Sequence, residues 1–214
     1  MVENVYIYCD HNATTPLHPD VKQTFIDSTN LFGNASSLYK ISRYSREAIE
    51  DAREQIASSL NASPSQLLFA ASGTEANNQV LKHLLLKRCV QQEKAHVILS
   101  AIEHSSVLAT GQYLEQFGIE VDVVPVNEQG IVNLDQYKAL FKEHTALVSL
   151  IFANNEIGSV QPIKDCVAIA HEKFVPVHTD AVQAYGKCHL DVKDLDVDYM
   201  SLSEANCSCV FIAV

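Results

Sequence analysis

The fold of this chain is decided by the stretch Val177-His178-Thr179-Asp180-Ala181-Val182-Gln183. This stretch is typical of an apolar strand that ends in an aspartate and passes into a turn. Downstream, a second apolar strand that ends in serines is indicated by Val197-Asp198-Tyr199-Met200-Ser201-Leu202-Ser203. The two stretches predict two strands of one sheet, each of which delivers polar side chains where it ends.

Short apolar runs alternate with amphipathic segments of helical length from Leu67 onward. The predicted strands are Leu67–Ala71, His96–Ala101, Ile119–Val124, Leu147–Ala153, Val175–Asp180 and Val197–Ser203. The predicted helices are Arg43–Leu60, Thr74–Glu93, Ser105–Phe117, Leu134–Glu143 and Pro162–Lys173. This alternation predicts an α/β fold with a mainly parallel sheet and helices on both faces. We interpret residues 1–15 as an N-terminal arm and residues 16–214 as one domain.

The charge, the apolar runs and the cysteines of the sequence indicate which partners and which cellular compartment to expect. The chain carries 15 basic and 26 acidic residues, a net charge of −11, and has no basic run. Nucleic acid and anionic membranes are therefore not expected as main partners. No run approaches the roughly 20 apolar residues of a membrane helix, and the N-terminus has no signal-peptide pattern. The six cysteines are scattered, which favours the reducing cytoplasm.

One pair of cysteines leaves an alternative open. Cys207-Ser208-Cys209, with His189 nearby in sequence, has the ligand types of half a zinc site. Structural zinc sites typically show C-x₂₋₄-C pairs together with a second pair of ligands. We therefore expect free thiols and no metal.

The first predicted strand leads into a candidate anion site. Ser72-Gly73-Thr74-Glu75 follows it directly and opens a helix, whose first N–H groups have no partner within the helix. Such groups bind phosphate without any net positive charge, and glycine permits a tight turn. The alternative is an ordinary helix cap, for which Ser and Thr are equally suited.

Three further strand ends carry polar side chains, and each has an ordinary alternative. His104 follows the second strand; histidine exchanges protons near neutral pH, but many histidines have no catalytic role. Asn155 follows the strand near Leu147 and has the amide to donate to a ligand oxygen, although Asn also forms turns. Asp180 ends its strand, where aspartates also cap helices. Because all these ends share one sheet edge, together they predict a ligand site there.

Taken in order, the motifs resemble those of the pyridoxal 5'-phosphate (PLP)-dependent cysteine desulfurases and selenocysteine lyases, in the class V aminotransferase group. The likeness runs from Tyr6 to Ser203. Six motifs carry it: Asp10-His11-Asn12-Ala13-Thr14-Thr15-Pro16, Gly73-Thr74-Glu75-Ala76-Asn77-Asn78, Glu103-His104, Ala153-Asn154-Asn155-Glu156-Ile157-Gly158, His178-Thr179-Asp180-Ala181-Val182-Gln183-Ala184 and Asp198-Tyr199-Met200-Ser201-Leu202-Ser203.

The resemblance implies the large domain of PLP fold-type I and a set of cofactor-binding residues. Gly73, Thr74 and Ser203 would bind the phosphate of PLP. Asp180 would pair with the protonated ring nitrogen, which makes the ring an electron sink, and Gln183 would contact the phenolic oxygen.

The resemblance also implies catalytic and substrate contacts. His104 would stack on the pyridine ring of the cofactor and take part in proton transfers. Asn155 would lie near both the cofactor and the substrate, and Asn12 would line the substrate pocket.

The sequence departs from the family pattern directly after Ser203. The family continues with a small residue, a histidine and the lysine that forms a Schiff base with PLP. Here Ala205 stands at the histidine position and Asn206 at the lysine position, and an asparagine amide cannot form an imine. We interpret the chain as a truncated member without the C-terminal small domain, ended either naturally or by a frameshift after Ser203.

These observations lead to three hypotheses. The first is a cysteine desulfurase, a transferase that removes sulfur from L-cysteine and leaves L-alanine and an enzyme persulfide for iron–sulfur cluster assembly or thiolation, inactive as this isolated chain. The second is a non-catalytic pseudoenzyme that binds PLP or protein partners. The third is a half-enzyme completed by another polypeptide. The resemblance further implies a homodimer and a sulfur-acceptor or scaffold protein as partner.

Overall fold

The computed structural model describes residues 7–204 and 207–213. Within them, the strands are β1 (Leu67–Ala70), β2 (His96–Ser100), β3 (Glu120–Val124), β4 (Thr145–Ile151), β5 (Val177–Asp180), β6 (Tyr199–Glu204) and β7 (Cys207–Ala213). The helices are α1 (Pro19–Ser28), α2 (Lys40–Ser59), α3 (Gly73–Leu85), α4 (Ser105–Glu115), α5 (Leu134–Ala139), α6 (Ile163–His171) and α7 (Val192–Leu195).

The strands form one mixed sheet in the order β1-β7-β6-β5-β4-β2-β3. The pairs from β6 through β5, β4 and β2 to β3 are all parallel. β7 runs antiparallel between β1 and β6, so β1 points the same way as the parallel strands. The predicted α/β fold with a mainly parallel sheet is confirmed.

Both faces of the central strands β2, β4 and β5 are buried, which explains the continuous apolar runs in the sequence. Along β2, Ile98 packs into one core cluster, whereas Val97 and Leu99 pack into the other. The first cluster also contains Val177 and Met200 from the strands that decide the fold. The second cluster lies under α3 and α4, two helices that carry site residues.

Several element ends differ from the predictions for physical reasons. β5 begins at Val177 and not at Val175, because Pro176 has no N–H to donate to the sheet. The predicted helix Thr74–Glu93 is divided into α3, which ends at Leu85, and a wider π-type turn over Leu86–Val90. Helix α1 was not predicted, because it is short and carries only three large apolar residues, Val21, Phe25 and Ile26; none of its residues is buried.

The chain divides into two compact units, Met1–Glu50 and Asp51–Val214. The first contains α1 and the start of α2, and the second contains the whole sheet. The predicted boundary at residue 15 remains a prediction. None of the helices in the described residues is long and apolar enough to cross a membrane. Ala205 and Asn206 lie outside the described residues.

Candidate functional site

Six of the described strands, β1 to β6, point the same way and end at one edge of the sheet. This edge carries seven of the predicted site residues. They are Gly73 and Thr74 at the start of α3, His104 before α4, Asn155 after β4, Asp180 as the last residue of β5, Gln183 in the following turn, and Ser203 in β6. The eighth, Asn12, lies in the first unit of the chain.

The N-terminus of α3 is arranged to leave two N–H groups for a ligand. Ser72 caps the helix: its Oγ accepts the Glu75 N–H at 3.0 Å, and its carbonyl oxygen accepts the Ala76 N–H at 3.0 Å. The Glu75 carboxylate turns back and accepts the Ala71 N–H at 2.6 Å. Within the described residues, the N–H groups of Gly73 and Thr74 therefore remain for an anion, at the positive end of the helix dipole.

Gly73 brings three strand ends close together. A side-chain carbon at this position would lie 2.9 Å from Val182 Cγ2 and 4.0 Å from Ser203 Cβ. Only glycine therefore fits without displacing the turn after β5. The start of α3, the turn after β5 and the end of β6 form one concave corner.

Asp180 is the buried charge of the site, with 3 % of its surface exposed. Its Oδ2 accepts a hydrogen bond from Asn77 Nδ2 at 2.7 Å, and its Oδ1 accepts the Val182 N–H at 3.0 Å. Burial raises the pKa of the Asp180 carboxyl, while the Val182 N–H, the Asn77 amide and the nearby His104 oppose that rise. A bound cation at this carboxylate would be strongly stabilised, because water is largely excluded.

A chain of hydrogen bonds connects Asp180 to His104. Asn77 uses its second amide N–H to donate to Ser106 Oγ at 3.0 Å, and Ser106 Oγ lies 2.8 Å from His104 Nδ1. His104 Nδ1 also accepts the Ser106 N–H at 3.1 Å. Because both Ser106 groups donate to Nδ1, the ring proton of the neutral imidazole is placed on Nε2.

His104 and Asn155 line one pocket at the sheet edge, together with Ile102, Glu103, Ser105, Asn154, Glu156 and Ile157. Asn154 shapes its wall: Oδ1 accepts the N–H groups of Glu156 and Ile157, each at 2.9 Å. His104, which is exposed, and Asn155, which is half-buried, thus line a common space, where Asn155 Nδ2 donates to Glu156 Oε1 at 2.8 Å. This arrangement suits a small polar substrate beside a flat cofactor.

Gln183 makes a contact that the sequence did not predict. Its Oε1 accepts a hydrogen bond from Lys187 Nζ at 2.8 Å, one helical turn further along the chain. The predicted contact of Gln183 with a cofactor oxygen remains a prediction. The lysine position of the family, Asn206, lies outside the described residues.

Sequence reasoning missed four residues of this site: Asn77, Ser106, Val182 and Glu103. Asn77 lies one helical turn after Gly73, so its position on the same face of α3 was an available signal. Glu103 directly precedes His104, but its burial becomes visible only in the folded chain. Ser106 and Val182 act through contacts that no local pattern indicates.

The residues present fit PLP. A phosphate needs a helix N-terminus with room for close approach, which Gly73 and Thr74 provide. A protonated ring nitrogen needs a buried carboxylate as its partner, and Asp180 is a buried carboxyl group whose two donors oppose the rise in pKa that burial causes. In the described residues, no group of three or more His, Cys, Asp or Glu side chains is placed to hold a metal ion.

Comparison with known proteins agrees with this interpretation. The model of the family "Aminotransferase class-V" matches residues 7–205. The cysteine desulfurase IscS of Clostridium botulinum (strain Kyoto / Type A2) is 40% identical over 201 residues, which is 94% of this chain and 50% of that protein. IscS of Methanosarcina thermophila is 41% identical over 202 residues, again 94% of this chain and 50% of that protein.

A solved structure described as "SspA in complex with cysteine" superposes with a TM-score of 0.90 and 34% identity, covering 96% of this chain and 60% of that one. The resemblance inferred from the six motifs is therefore confirmed. The chain spans about half the length of the curated relatives that it matches.

Proposed function

Because the chain belongs to the aminotransferase class-V family, we propose that its strand-end site binds PLP and is a cysteine desulfurase site for L-cysteine. The observation that carries this proposal is Asp180, a buried carboxylate held by two donors beside the open N-terminus of α3. The curated relatives that support it are cysteine desulfurases.

The residues of the corner formed by α3, the turn after β5 and β6 would hold the cofactor. The N–H groups of Gly73 and Thr74, with the Ser203 hydroxyl, would bind the phosphate. Asp180 would keep the ring nitrogen protonated, and Gln183 would contact the phenolic oxygen. When bound, PLP supplies an electron sink for the Cα–H bond of an amino acid.

Two residues of the pocket would act on the substrate side. His104 holds its ring proton on Nε2, and this atom would give or take a proton. Asn155 would donate its amide to the substrate. In the same proposal, Asn12 lines the substrate pocket.

We further propose that this chain does not complete the reaction alone, because Asn206 stands where the family has its Schiff-base lysine. The same residue favours a second function, that of a binding or scaffold subunit which holds PLP or a partner polypeptide without catalysis.

An alanine-release assay tests this proposal. Purified chain would be incubated with PLP, L-cysteine and a thiol reductant, and L-alanine measured against a blank that contains PLP alone. We expect no release above the blank, because the amine that begins the reaction is missing. Release that is lost in a His104→Ala variant would show that the chain is a complete desulfurase.

The assembly state belongs to the same proposal. The first unit exposes several large apolar side chains, including Leu38 at 90% and Phe32 at 76%. We propose that a second copy of the chain covers them, as a homodimer in the cytoplasm that transfers sulfur to an acceptor or scaffold protein. Analytical ultracentrifugation should then give a dimer for the wild type and a monomer for Leu38→Asp. The matched control is an exposed polar site, Ser36→Asp, and a monomeric wild type would contradict the proposal.

A further inference from the structure

Glu103 is a buried carboxyl group to which the proposed function gives no role. It is 7% exposed and lies between β2 and β4. Its Oε1 accepts the Ile151 N–H at 2.7 Å and a hydrogen bond from the Ser100 hydroxyl. Its Oε2 has no hydrogen-bond partner in the described part of the chain.

The Glu103 carboxyl holds in place the loop between β2 and α4, which contains His104. Ser100 and Ile151 are the last residues of β2 and β4, so one oxygen connects the loop to two strand ends. A second connection runs alongside, where Asn154 Nδ2 donates to the Ile102 carbonyl at 2.8 Å. His104 directly follows Glu103 and is therefore placed by both connections.

Glu103 and Asp180 are two buried carboxyl groups that differ in how many of their oxygens accept hydrogen bonds. Ile151, which donates to Glu103, pairs in register with Asp180 on the neighbouring strand, so the groups lie at the same level of the sheet edge. Asp180 receives two N–H groups and the electrostatic support of His104. Glu103 receives the Ile151 N–H and the Ser100 hydroxyl, with a smaller contribution from the Ser100 N–H, and its second oxygen has no hydrogen-bond partner among the described residues.

Within residues 7–204 and 207–213, none of the interactions that shift the pKa of Glu103 comes from a cation. Asp180 faces it from β5, and His104 and Glu156 line the same pocket. Burial raises the pKa of Glu103 to about 8, the charge of Asp180 adds to the rise, and the donors Ser100 and Ile151 oppose it. A buried carboxyl without a paired cation is stabilised in its neutral form.

We propose that Glu103 is a positioning residue that stays protonated at neutral pH, so that only Asp180 of these two buried carboxyl groups carries a charge. The neutral carboxyl anchors the His104 loop without adding a second charge beside an anionic cofactor. The inference rests on the proposed function, because it concerns the charge that would hold the ring nitrogen of PLP. Many active sites contain two carboxyl groups of which one stays protonated and the other ionised, because their surroundings differ.

Carbon NMR of the full chain without cofactor tests the protonation state directly. Protein labelled with ¹³C only at the glutamate carboxyl carbon excludes Asp180 from the spectrum. We expect one resonance to titrate with a midpoint near pH 8 in the wild type. That resonance should be absent in Glu103→Gln and should titrate at lower pH in Asp180→Asn, because the neighbouring charge is removed.

Titration of every glutamate in its ordinary acidic range would overturn the proposal, as would survival of the alkaline resonance in Glu103→Gln. If Glu103→Gln does not fold, the wild-type and Asp180→Asn titrations decide alone: an alkaline midpoint that responds to Asp180 supports the proposal, and one that does not respond contradicts it.

A second readout separates this inference from the proposed function. The dissociation constant of PLP would be measured at pH 7 and pH 9 in the wild type and in Glu103→Gln. From pH 7 to pH 9, we expect the dissociation constant of the wild type to rise about threefold or more relative to that of Glu103→Gln. The reason is that ionised Glu103 repels an anionic ligand. Equal pH dependence in both proteins would contradict the role of Glu103. Failure of the wild type to bind PLP at any pH would refute the proposed function and leave the NMR result standing.

Discussion

At the scale of single residues, the site depends on how Asp180 keeps a charge inside the protein. Burial works against that charge, and the two hydrogen bonds from Asn77 and Val182 work for it. Asn77 affects more of the site than the Val182 N–H does, because its amide also orients Ser106 and, through Ser106, His104. Asn77 thus connects the Asp180 carboxylate to the His104 imidazole through hydrogen bonds.

The Asn77→Ala variant should lose both connections. We expect the free energy of unfolding to fall by about 1–3 kcal/mol, because a buried carboxylate loses a donor, and PLP binding to weaken. Urea unfolding and a PLP titration measure the two effects. The matched control is Asn78→Ala: the Asn78 amide donates to the Thr74 carbonyl and accepts from Thr110 Oγ1, and neither bond involves Asp180. Equal losses in the two variants would contradict the role given to Asn77.

His178 should make the protein acid-labile. It is buried between Ser149 and Ser201, and burial lowers the pKa of its imidazole to about 3. Below pH 6.5 the unfolded chain binds a proton that the folded chain does not, so stability falls as the pH falls toward 3. His178 should contribute about 1.4 kcal/mol per pH unit to the slope. The raised pKa of Glu103 contributes with the opposite sign over the same range, because there the folded chain holds a proton that the unfolded chain has lost. The readout is therefore the difference in slope between the wild type and a His178 variant.

Urea unfolding at pH 5, 6 and 7 checks this slope. In His178→Asn the acid-side slope should become smaller, although overall stability also falls because two serine contacts are lost. The exposed His189, changed to Gln, is the control and should keep the wild-type slope. An unchanged slope in His178→Asn would show that another group causes the acid lability.

At the scale of elements, the sequence predicted the site residues at strand ends better than the contacts between helices. Asp180 and Gly73 were predictable, because an apolar run followed by a polar residue or a glycine marks a strand end. The hydrogen bonds that connect Asp180 to His104 were not predictable, because they depend on contacts between residues of α3 and α4 that are far apart in sequence. The burial of Glu103 was hidden for the same reason.

The element-scale prediction concerns the start of α3. Gly73→Ala places a carbon 2.9 Å from Val182 Cγ2, so the corner must open. We expect PLP affinity to fall about tenfold, which equals about 1.4 kcal/mol, while the sheet stays folded. Isothermal titration with PLP measures the loss.

Gly118→Ala is the matched control for this change. Gly118 has a φ of +76° in the turn between α4 and β3, away from the strand ends that carry the site. Its substitution should lower stability through backbone strain and leave PLP affinity unchanged. Equal affinity losses in both variants would argue against a phosphate site at Gly73.

At the scale of the whole molecule, the second unit contains the complete sheet edge that this account assigns to PLP. The chain nevertheless spans only about half of its curated relatives, and its sequence has Asn206 at the position of the reactive lysine. We therefore propose that cofactor binding and covalent chemistry are separable in this protein. We expect the first to be present and the second to be missing.

Borohydride reduction followed by intact-protein mass spectrometry tests this separation most directly. Chain loaded with PLP and freed of excess cofactor should retain a PLP absorbance, yet show no added pyridoxyl mass after reduction, because no site lysine forms an imine. The double variant Ala205→His, Asn206→Lys should gain one pyridoxyl group at residue 206. A wild-type chain that gains the group on a lysine such as Lys187, or that retains no PLP at all, would contradict the account.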